Sequence, residues 1–492
     1  MFCCLCGGLF ARKINSMLIH KLPYHHDSAQ LLERIAAQPW AMLLDSGQVL
    51  DASTGKPGSQ YGRYDILVAE PFITLVTRGE TTTITRNNLV SSSADNPFLL
   101  LDNLLKEYAA PKTEMTFAGG NLPFAGGALG YFGYDLGRRL EKLPSIAADD
   151  MQLPEMMIGI YDWAVVVDHR EKKTVLVSHS MHAQTQSHWA RLQALFNAPA
   201  GAIAQSTFTV TSGIDYNLPE PKYKQAFAKI KAYITAGDCY QVNLAQRFSA
   251  KVQGDAWVMY KKLRQISPAP FMAYMNFPLS ENEQFQVLSN SPERFIQITG
   301  KHVETRPIKG TRPRSTNAEQ DAAYSNELLT SSKDRAENVM IVDLLRNDLS
   351  KSCELGSVKV NKLFQLQSFA NVHHLVSIIV GKLKPGKTAV NLLQDSFPGG
   401  SITGAPKLRA MQIIEELEPH RRGIYCGAIG YISFDGNMDT NIAIRTAIIC
   451  ENVLNFYAGG GIVADSDGSK EYAETFDKAL SFKTIIRLFT RL

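Results

Sequence analysis

Long apolar runs are missing from this 492-residue sequence. None approaches the roughly 20 residues that a membrane-crossing helix needs, so no membrane partner is expected. Cysteine is sparse and unpatterned. The seven thiols include Cys239, Cys353, Cys426 and Cys450, which lie far apart. That excludes a disulfide framework and a four-ligand zinc spacing, and makes a reducing, cytoplasmic setting the expectation. An excess of one charge is missing as well. With 51 basic and 47 acidic residues the net charge is +4, and no basic block stands out, which argues against a nucleic-acid partner. The glycine-rich stretch LPFAGGALGYFGYDLGRRLE at 122–141 has no GK[ST] after it. Close backbone approach at strand edges is therefore the better reading there than a phosphate loop.

What is present is a large supply of core-forming residues: 45% of the chain is hydrophobic and 20% charged, the balance of a globular protein. The apolar start of MFCCLCGGLFARK is short, and its basic residues follow it, the reverse of a secretory signal. Residues 1–16 are expected to be an extension or tail without function. Residues 17–197 read as an N-terminal region of mixed strand and helix. A short helix is expected from Asp27 to Ala37, a buried strand in PWAMLLDSG, a run of antiparallel strands over 64–88, and two more strands over 157–180. The small, polar, Pro-containing stretch 198–220 is the best linker, and 221–492 forms the remaining region. It opens with a helix from Tyr223 to Ala236 stopped by Gly237. Strand YQVNLAQRF follows, then helices from Lys333 to Leu349 and over 404–418. Strands are expected at 425–433 and 440–450, and a last helix from about Lys470. Strand runs and helix runs interleave without a βαβ repeat. The expected class is α+β, a large two-layer body of antiparallel β-sheets flanked by helices.

Two groups of residues carry chemistry. In the stretch from Ser291 to Arg314, Ile296-Gln297-Ile298 alternates, Gly300-Lys301 turns, and Val303 to Arg306 returns, a strand pair that brings Glu293 and Lys309 into one cleft. On spacing alone a basic loop is the simpler reading, since Arg306, Arg312 and Arg314 crowd around Lys309. Further on, Asp334 and Glu337 share a helix face with Ile341, Leu344 and Leu345. Inward-pointing carboxylates are costly unless paired or bound to a cation. A capping role from Ser331-x-x-Asp334 accounts for Asp334 equally well. Glu471, Glu474 and Lys478 repeat the theme opposite a packed side of Tyr472, Phe476, Ala479 and Leu480. A solvated face fits that spacing too, but two helices offering paired carboxylates make a Mg²⁺ site plausible, because Mg²⁺ takes hard oxygen ligands.

GDCYQVNLAQRF, SPERF, PIKGT, KDRAENVMIVDLLRND, VHHLVS, GGSITGAPK, YCGAIGY and ETFDK occur in order over 225–485. Together they resemble the chorismate-utilising enzymes, which include anthranilate, isochorismate and salicylate synthases. PWAMLLDSG, YDILVAE, GGALGYFGYDLGRR and GIYDWAVVVDH extend the resemblance more loosely into the first 200 residues. Lys309 in PIKGT points to the aminodeoxychorismate-forming branch, where anthranilate synthases usually have a small residue. The resemblance implies chorismate as substrate, with Glu293 as the acid for the departing C4 hydroxyl and Lys309 as a covalent nucleophile. It implies Mg²⁺ held by Glu337, Glu471 and Glu474, with Asp334 in the same set, standing where relatives often have Glu. It implies substrate contacts from His374, Ser401, Tyr425, Arg445, Gly461 and Lys478. Gln241 stands where the water-adding relatives carry a lysine base, which disfavours hydroxide chemistry and speaks for nitrogen.

Ser46 with Tyr61, Gly62, Arg63 and Tyr64, and Pro270, Phe271, Met272, Ala273 and Tyr274, match the pocket that holds tryptophan in anthranilate synthases. A plain strand and turn fits any one of these residues as well. No Gly-x-Cys-x-Gly elbow of a glutaminase occurs, so ammonia is expected from a separate glutamine amidotransferase subunit or free from solution. The implied product, 4-amino-4-deoxychorismate, serves p-aminobenzoate and folate synthesis. The rivals are an anthranilate-forming enzyme and a non-catalytic tryptophan-binding regulatory subunit.

Overall fold

The computed structural model describes residues 17–48, 62–110, 116–117, 120–199, 206–280, 283–369 and 372–490. Residues 1–16, Tyr61 and part of the 198–220 segment, for which the sequence raised expectations, fall outside them. Two large antiparallel sheets dominate the described residues, one of 13 strands and one of 12. Alternation along the strands stacks them. Ile66 and Val68 of the larger sheet and Leu129, Tyr131, Ile429 and Tyr431 of the smaller one share a single buried cluster. Their sequence neighbours Leu67 and Ala128 point the opposite way into two outer clusters, as the twofold period of a strand requires. Helices Pro97–Glu107, Ser332–Ser352 and Ala389–Ser396 cover the outer face of the smaller sheet. Helices Ala183–Asn197, Ala256–Ile266 and Leu480–Phe489 cover that of the larger. This is the expected α+β body of antiparallel sheets flanked by helices.

The chain passes from one sheet to the other within a few residues at several places. Tyr64–Val68 belongs to the larger sheet and Ile73–Arg78 to the smaller, so the strands expected over 64–88 exist but are not one continuous run. The two strands expected over 157–180 are three: Met156–Tyr161, Trp163–Asp168 and Lys173–Ser178, and the first two lie in different sheets. Likewise 440–450 divides into Met438–Ile442 and Thr446–Cys450. Both sheets take strands from either side of 198–220. Within that segment Phe208–Val210 and Asp215–Tyr216 pair with the long strand Gln241–Gly254.

Local predictions fared better where one residue decides the geometry. Helix Glu220–Ala236 ends at Gly237, whose φ of 83° is the left-handed cap that glycine adopts without penalty. Gly130 sits in the middle of its sheet and not at an edge, since its strand pairs on both sides. A Cβ there would lie 2.0 Å from the Met157 carbonyl, so close approach is the reason for the residue. The helix expected from Asp27 to Ala37 is a single turn, Ala29–Leu32, followed by turns. In the C-terminal region Leu480 is exposed, against expectation, while Ala479 is buried.

Candidate active site

Two of the sheet crossings lie side by side. The first links strand Gln284–Ser291 to strand Arg294–Thr299 and carries Glu293; the second links Met438–Ile442 to Thr446–Cys450 and carries Arg445. They are hydrogen-bonded to each other: Ile442 N–H donates to the Glu293 carbonyl at 3.0 Å, and Asn290 N–H to the Arg445 carbonyl at 2.9 Å. Arg445 adopts a positive φ of 49° to make its turn, an uncommon conformation for a bulky residue. The Glu293 side chain is buried. Burial pushes its carboxyl above the ordinary 4.5, against opposing contributions from the Ser401 hydroxyl, Lys309, the Ile308 N–H and Lys478. Burial also lowers the Arg445 guanidinium, with Glu293 as the opposing charge.

Lys309 stands on strand Ile308–Pro313, and its Nζ donates to the Ser401 carbonyl at 3.2 Å. Burial holds the amine below the ordinary 10.5, while Glu337 and Glu293 pull it back up. Gly310 has a φ of 81°, and a Cβ on it would lie 2.7 Å from Leu328 and 3.0 Å from the Asp334 carboxyl carbon. Only glycine lets the strand turn so tightly beside the lysine. One residue on, Thr311 Oγ1 meets His374 Nδ1 at 2.8 Å. His374 is buried, and burial, with Arg445 next, lowers its pKa to about 3. The histidine is thus neutral at any ordinary pH.

The two carboxylate helices converge as their spacing predicts. Glu337 of Ser332–Ser352 is half-buried and Glu471 of Gly468–Lys478 is buried. Lys333 lies between them, 3.9 Å from Glu337 and 3.6 Å from Glu471. Burial raises the Glu337 carboxyl, with Lys309 and Lys333 opposing and Asp334 and Glu471 adding. Burial works in the same sense on Glu474, but Lys478 at 2.7 Å, together with Lys333 and Lys309, outweighs it and holds that carboxyl low. Ser466 Oγ donates to Glu471 at 2.6 Å. Both acids of the second helix face the bare backbone of Gly460: a Cβ there would lie 3.1 Å from Glu471 Oε2 and 3.5 Å from Glu474 Oε1. Asp334 turns elsewhere. Its N–H takes the Ser331 cap at 3.2 Å and its carboxylate pairs with Arg312 at 3.1 Å.

The remaining predicted contacts frame these groups. Ser401 is buried in the Gly400–Ile402 turn and Tyr425 stacks on Tyr457 at 5.1 Å. Lys478 Nζ donates to the Gly459 carbonyl at 3.0 Å. A Cβ on Gly461 would lie 2.4 Å from Gln241 Nε2. Gln241 is fully buried, donates to Asn243 Oδ1 at 2.9 Å, and leaves its own Oε1 without a partner. Asn243 in turn donates to the Ser401 carbonyl at 3.2 Å, the same oxygen that receives Lys309. Sequence reasoning passed over Asn243 and Thr311. Asn243 sits two residues from Gln241 on a regular strand, hence on the same face, and that period was the signal available; Thr311 follows an irregularity between Ile308 and Thr311, where the period breaks.

Of the residues matched to an amino-acid pocket, several of the described ones lie close together. Strand Phe271–Pro278 pairs with Met42–Asp45, placing Met272, Ala273 and Tyr274 beside the Ser46 turn; Pro270 precedes them in sequence. Ser46 is buried and bonds Asp65 through both its N–H, at 2.8 Å, and its hydroxyl, at 2.7 Å. A Cβ on Gly62 would collide with the Ser46 carbonyl at 2.0 Å. Arg63 pairs with Asp168 at 2.8 Å and lies over the Tyr64 ring at 4.5 Å.

Known proteins resemble this chain over nearly its full length. The family model for chorismate binding enzymes matches residues 64–484. Aminodeoxychorismate synthase component 1 of Klebsiella aerogenes is 48% identical over 93% of this chain and 96% of its own. The protein of the same name from Escherichia coli strain K12 is 45% identical, over 95% and 98%. The crystal structure of anthranilate synthase component I from Streptococcus pneumoniae superposes with a TM-score of 0.72 at 31% identity, covering 87% of this chain and 93% of that one. On the match of fold, ordered motifs and near-complete length, the chain belongs to the chorismate binding enzyme family.

Proposed function

We propose that this protein is the chorismate-aminating component of an aminodeoxychorismate synthase. It converts chorismate and ammonia to 4-amino-4-deoxychorismate, for p-aminobenzoate and folate synthesis. The observation that carries the reading is the pairing of opposite pKa shifts in one buried cleft. Burial pushes Glu293 up, in the direction that favours an acid with a proton to give, and Lys309 down, in the direction that favours a free amine, and both side chains lie against Ser401. An acid and a nucleophile tuned apart by their surroundings are what a displacement at near-neutral pH needs. The names of the relatives at 45–48% identity support the same choice.

In this reading the free Lys309 amine forms a bond to C2 as the C4–O bond breaks, and Glu293 protonates the departing oxygen to give water. Ammonia then bonds to C4, the C2–N bond to Lys309 breaks, and the lysine leaves as a neutral amine. The new C4 ammonium returns a proton to Glu293, so the acid is restored. His374, neutral and held by Thr311, lies against the ring, and Arg445 and Tyr425 receive the enolpyruvyl carboxylate. Ammonia comes from a glutamine amidotransferase partner subunit.

Glu337, Glu471 and Glu474 fit Mg²⁺ by donor chemistry. Glu471 and Glu474 converge on the bare face of Gly460, where a side chain would fill the space. Among the described residues no three such groups are already drawn close enough to hold a metal ion; Lys333 and Lys478 occupy the carboxylates instead. Bound there, Mg²⁺ would supply charge to hold the ring carboxylate of chorismate. L-Tryptophan is the proposed occupant of the pocket around Ser46.

The deciding experiment is chorismate turnover with ammonium and Mg²⁺, comparing wild type with Lys309→Ala and resolving products by mass. Aminodeoxychorismate from the wild type, with formation sharply impaired in the variant, is expected. Anthranilate and pyruvate from the wild type would overturn the reading.

A further inference from the structure

One buried ion pair lies behind the site. Arg422 and Glu418 are 2% and 4% exposed. They meet as a two-pronged fork, Arg422 Nε to Glu418 Oε2 at 2.9 Å and Nη2 to Oε1 at 2.7 Å. The guanidinium also lies 4.8 Å over the Tyr134 ring and 5.7 Å over that of Tyr425. A buried pair is weak evidence for stability, because desolvation offsets much of its attraction. Its other hydrogen bonds say what it holds. Arg422 Nη1 donates to the Ile402 carbonyl at 3.0 Å and Nη2 to the Asn243 carbonyl at 3.0 Å. Glu418 Oε1 accepts from the Ala245 N–H at 2.8 Å.

These three backbone groups share a location. The long strand Gln241–Gly254 is paired along one edge with Val453–Ile462. On its other edge it pairs with Gly404–Ala405 at residues 241–242, and next with Asp215–Tyr216 at 248–249. The gap between them exposes the Asn243 carbonyl and Ala245 N–H, which burial does not allow to stay unpaired. The ion pair fills that gap as a piece of ladder made from side chains. Through Ile402 it clamps the Gly400–Ile402 turn onto the strand. Ser401, at the centre of that turn, accepts from Lys309 through its carbonyl, and its side chain acts on the charge of Glu293.

We infer that Glu418 and Arg422 are positioning residues for the reaction, setting the Ser401 turn and with it the alignment of the Lys309 amine. This rests on the reading of Lys309 as nucleophile given above. Neither side chain touches Lys309, so the pair acts through the turn. A misplacement of about 1 Å at a reacting group is enough to cost roughly a hundredfold in rate.

The test follows adduct formation on Lys309 by intact-protein mass in single turnovers with chorismate, together with thermal melting. Removing one charge would leave the other buried and unpaired, so the primary variant is the apolar double substitution Glu418→Leu with Arg422→Met; Arg422→Lys, which keeps the charge but loses the fork, is the second. The expected result for either variant is a rate per folded molecule lower by about tenfold to a hundredfold, at full adduct amplitude and with little change in KM for chorismate. An unchanged rate overturns the inference, whether amplitude is full or falls with the folded fraction. If the double variant does not fold, Arg422→Lys decides by the same readout. A wild type that turns over without any adduct on Lys309 would instead overturn the reading of Lys309 as nucleophile.

Discussion

Lys309 and Ser401 are joined by a hydrogen bond from the lysine Nζ to the serine carbonyl at 3.2 Å, while the hydroxyl of that serine favours the charged form of Glu293. One residue thus stands against both the nucleophile and the acid of the proposed reaction.

Glu293→Gln separates catalysis from stability. The variant is expected to lose roughly 10²–10⁴-fold in kcat, the usual worth of a positioned acid. Burial raises the folded-state pKa of Glu293 above its ordinary 4.5. The wild-type side chain therefore favours the fold below that value and disfavours it as pH rises through the folded pKa. Calorimetry should find the variant at least as stable as wild type near pH 7, with the difference shrinking in acid. A variant clearly less stable at pH 7 would contradict the assigned burial.

The amine of Lys309 is expected to react as a free base at lower pH than surface lysines, since burial lowers it while Glu337 and Glu293 oppose the shift. Glu337→Gln removes the larger opposing charge and should move the midpoint lower still. Competitive acetylation of metal-free protein across pH, read by peptide mass, measures this without relying on turnover. A midpoint that rises in the variant would refute the coupling.

His374 should stay neutral from pH 5 to 8, given a pKa lowered to about 3. Nitrogen chemical shifts of labelled histidine report this directly. The unfolded chain protonates this residue at about its ordinary 6.5, so the folded state loses its contribution as pH falls below that value. A His374 resonance titrating near 6.5 would show that the ring is not sealed against Thr311 and Arg445.

Removing metal with a chelator should abolish turnover, and added Mg²⁺ should restore it. Glu471→Gln should weaken binding of Mn²⁺, followed by electron paramagnetic resonance in the absence of chorismate. Affinity unchanged in that variant would place the ion elsewhere.

Much of this site could be read from sequence where the evidence is local. Glu337 and Glu471 lie on helix faces that a 3.6-residue period exposes, and Gly237 marks its own helix end. Strand periodicity, however, says which residues alternate and not which sheet receives them. That is why Asp162 and Arg445 pass as strand interior, although each marks a crossing between sheets. Arg422 is hidden for a similar reason. In the sequence it is one of two adjacent arginines before a glycine, and its partners Asn243 and Ile402 are far away along the chain. Buried polar partners are set by tertiary placement, and no local pattern announces them.

The sheet crossings have a consequence for how the protein is made. Met42–Asp45 pairs with Phe271–Pro278, and Gly127–Phe132 with Ala428–Ser433. Strands synthesised early therefore wait for partners synthesised late, and contacts so distant in sequence fold slowly. Glycines 460 and 461, which border the carboxylates and Gln241, are supplied by the final strand. A nascent chain on the ribosome holds half-built sheets with open edges, which are prone to aggregate. Its catalytic cleft closes only when nearly the whole polypeptide has emerged.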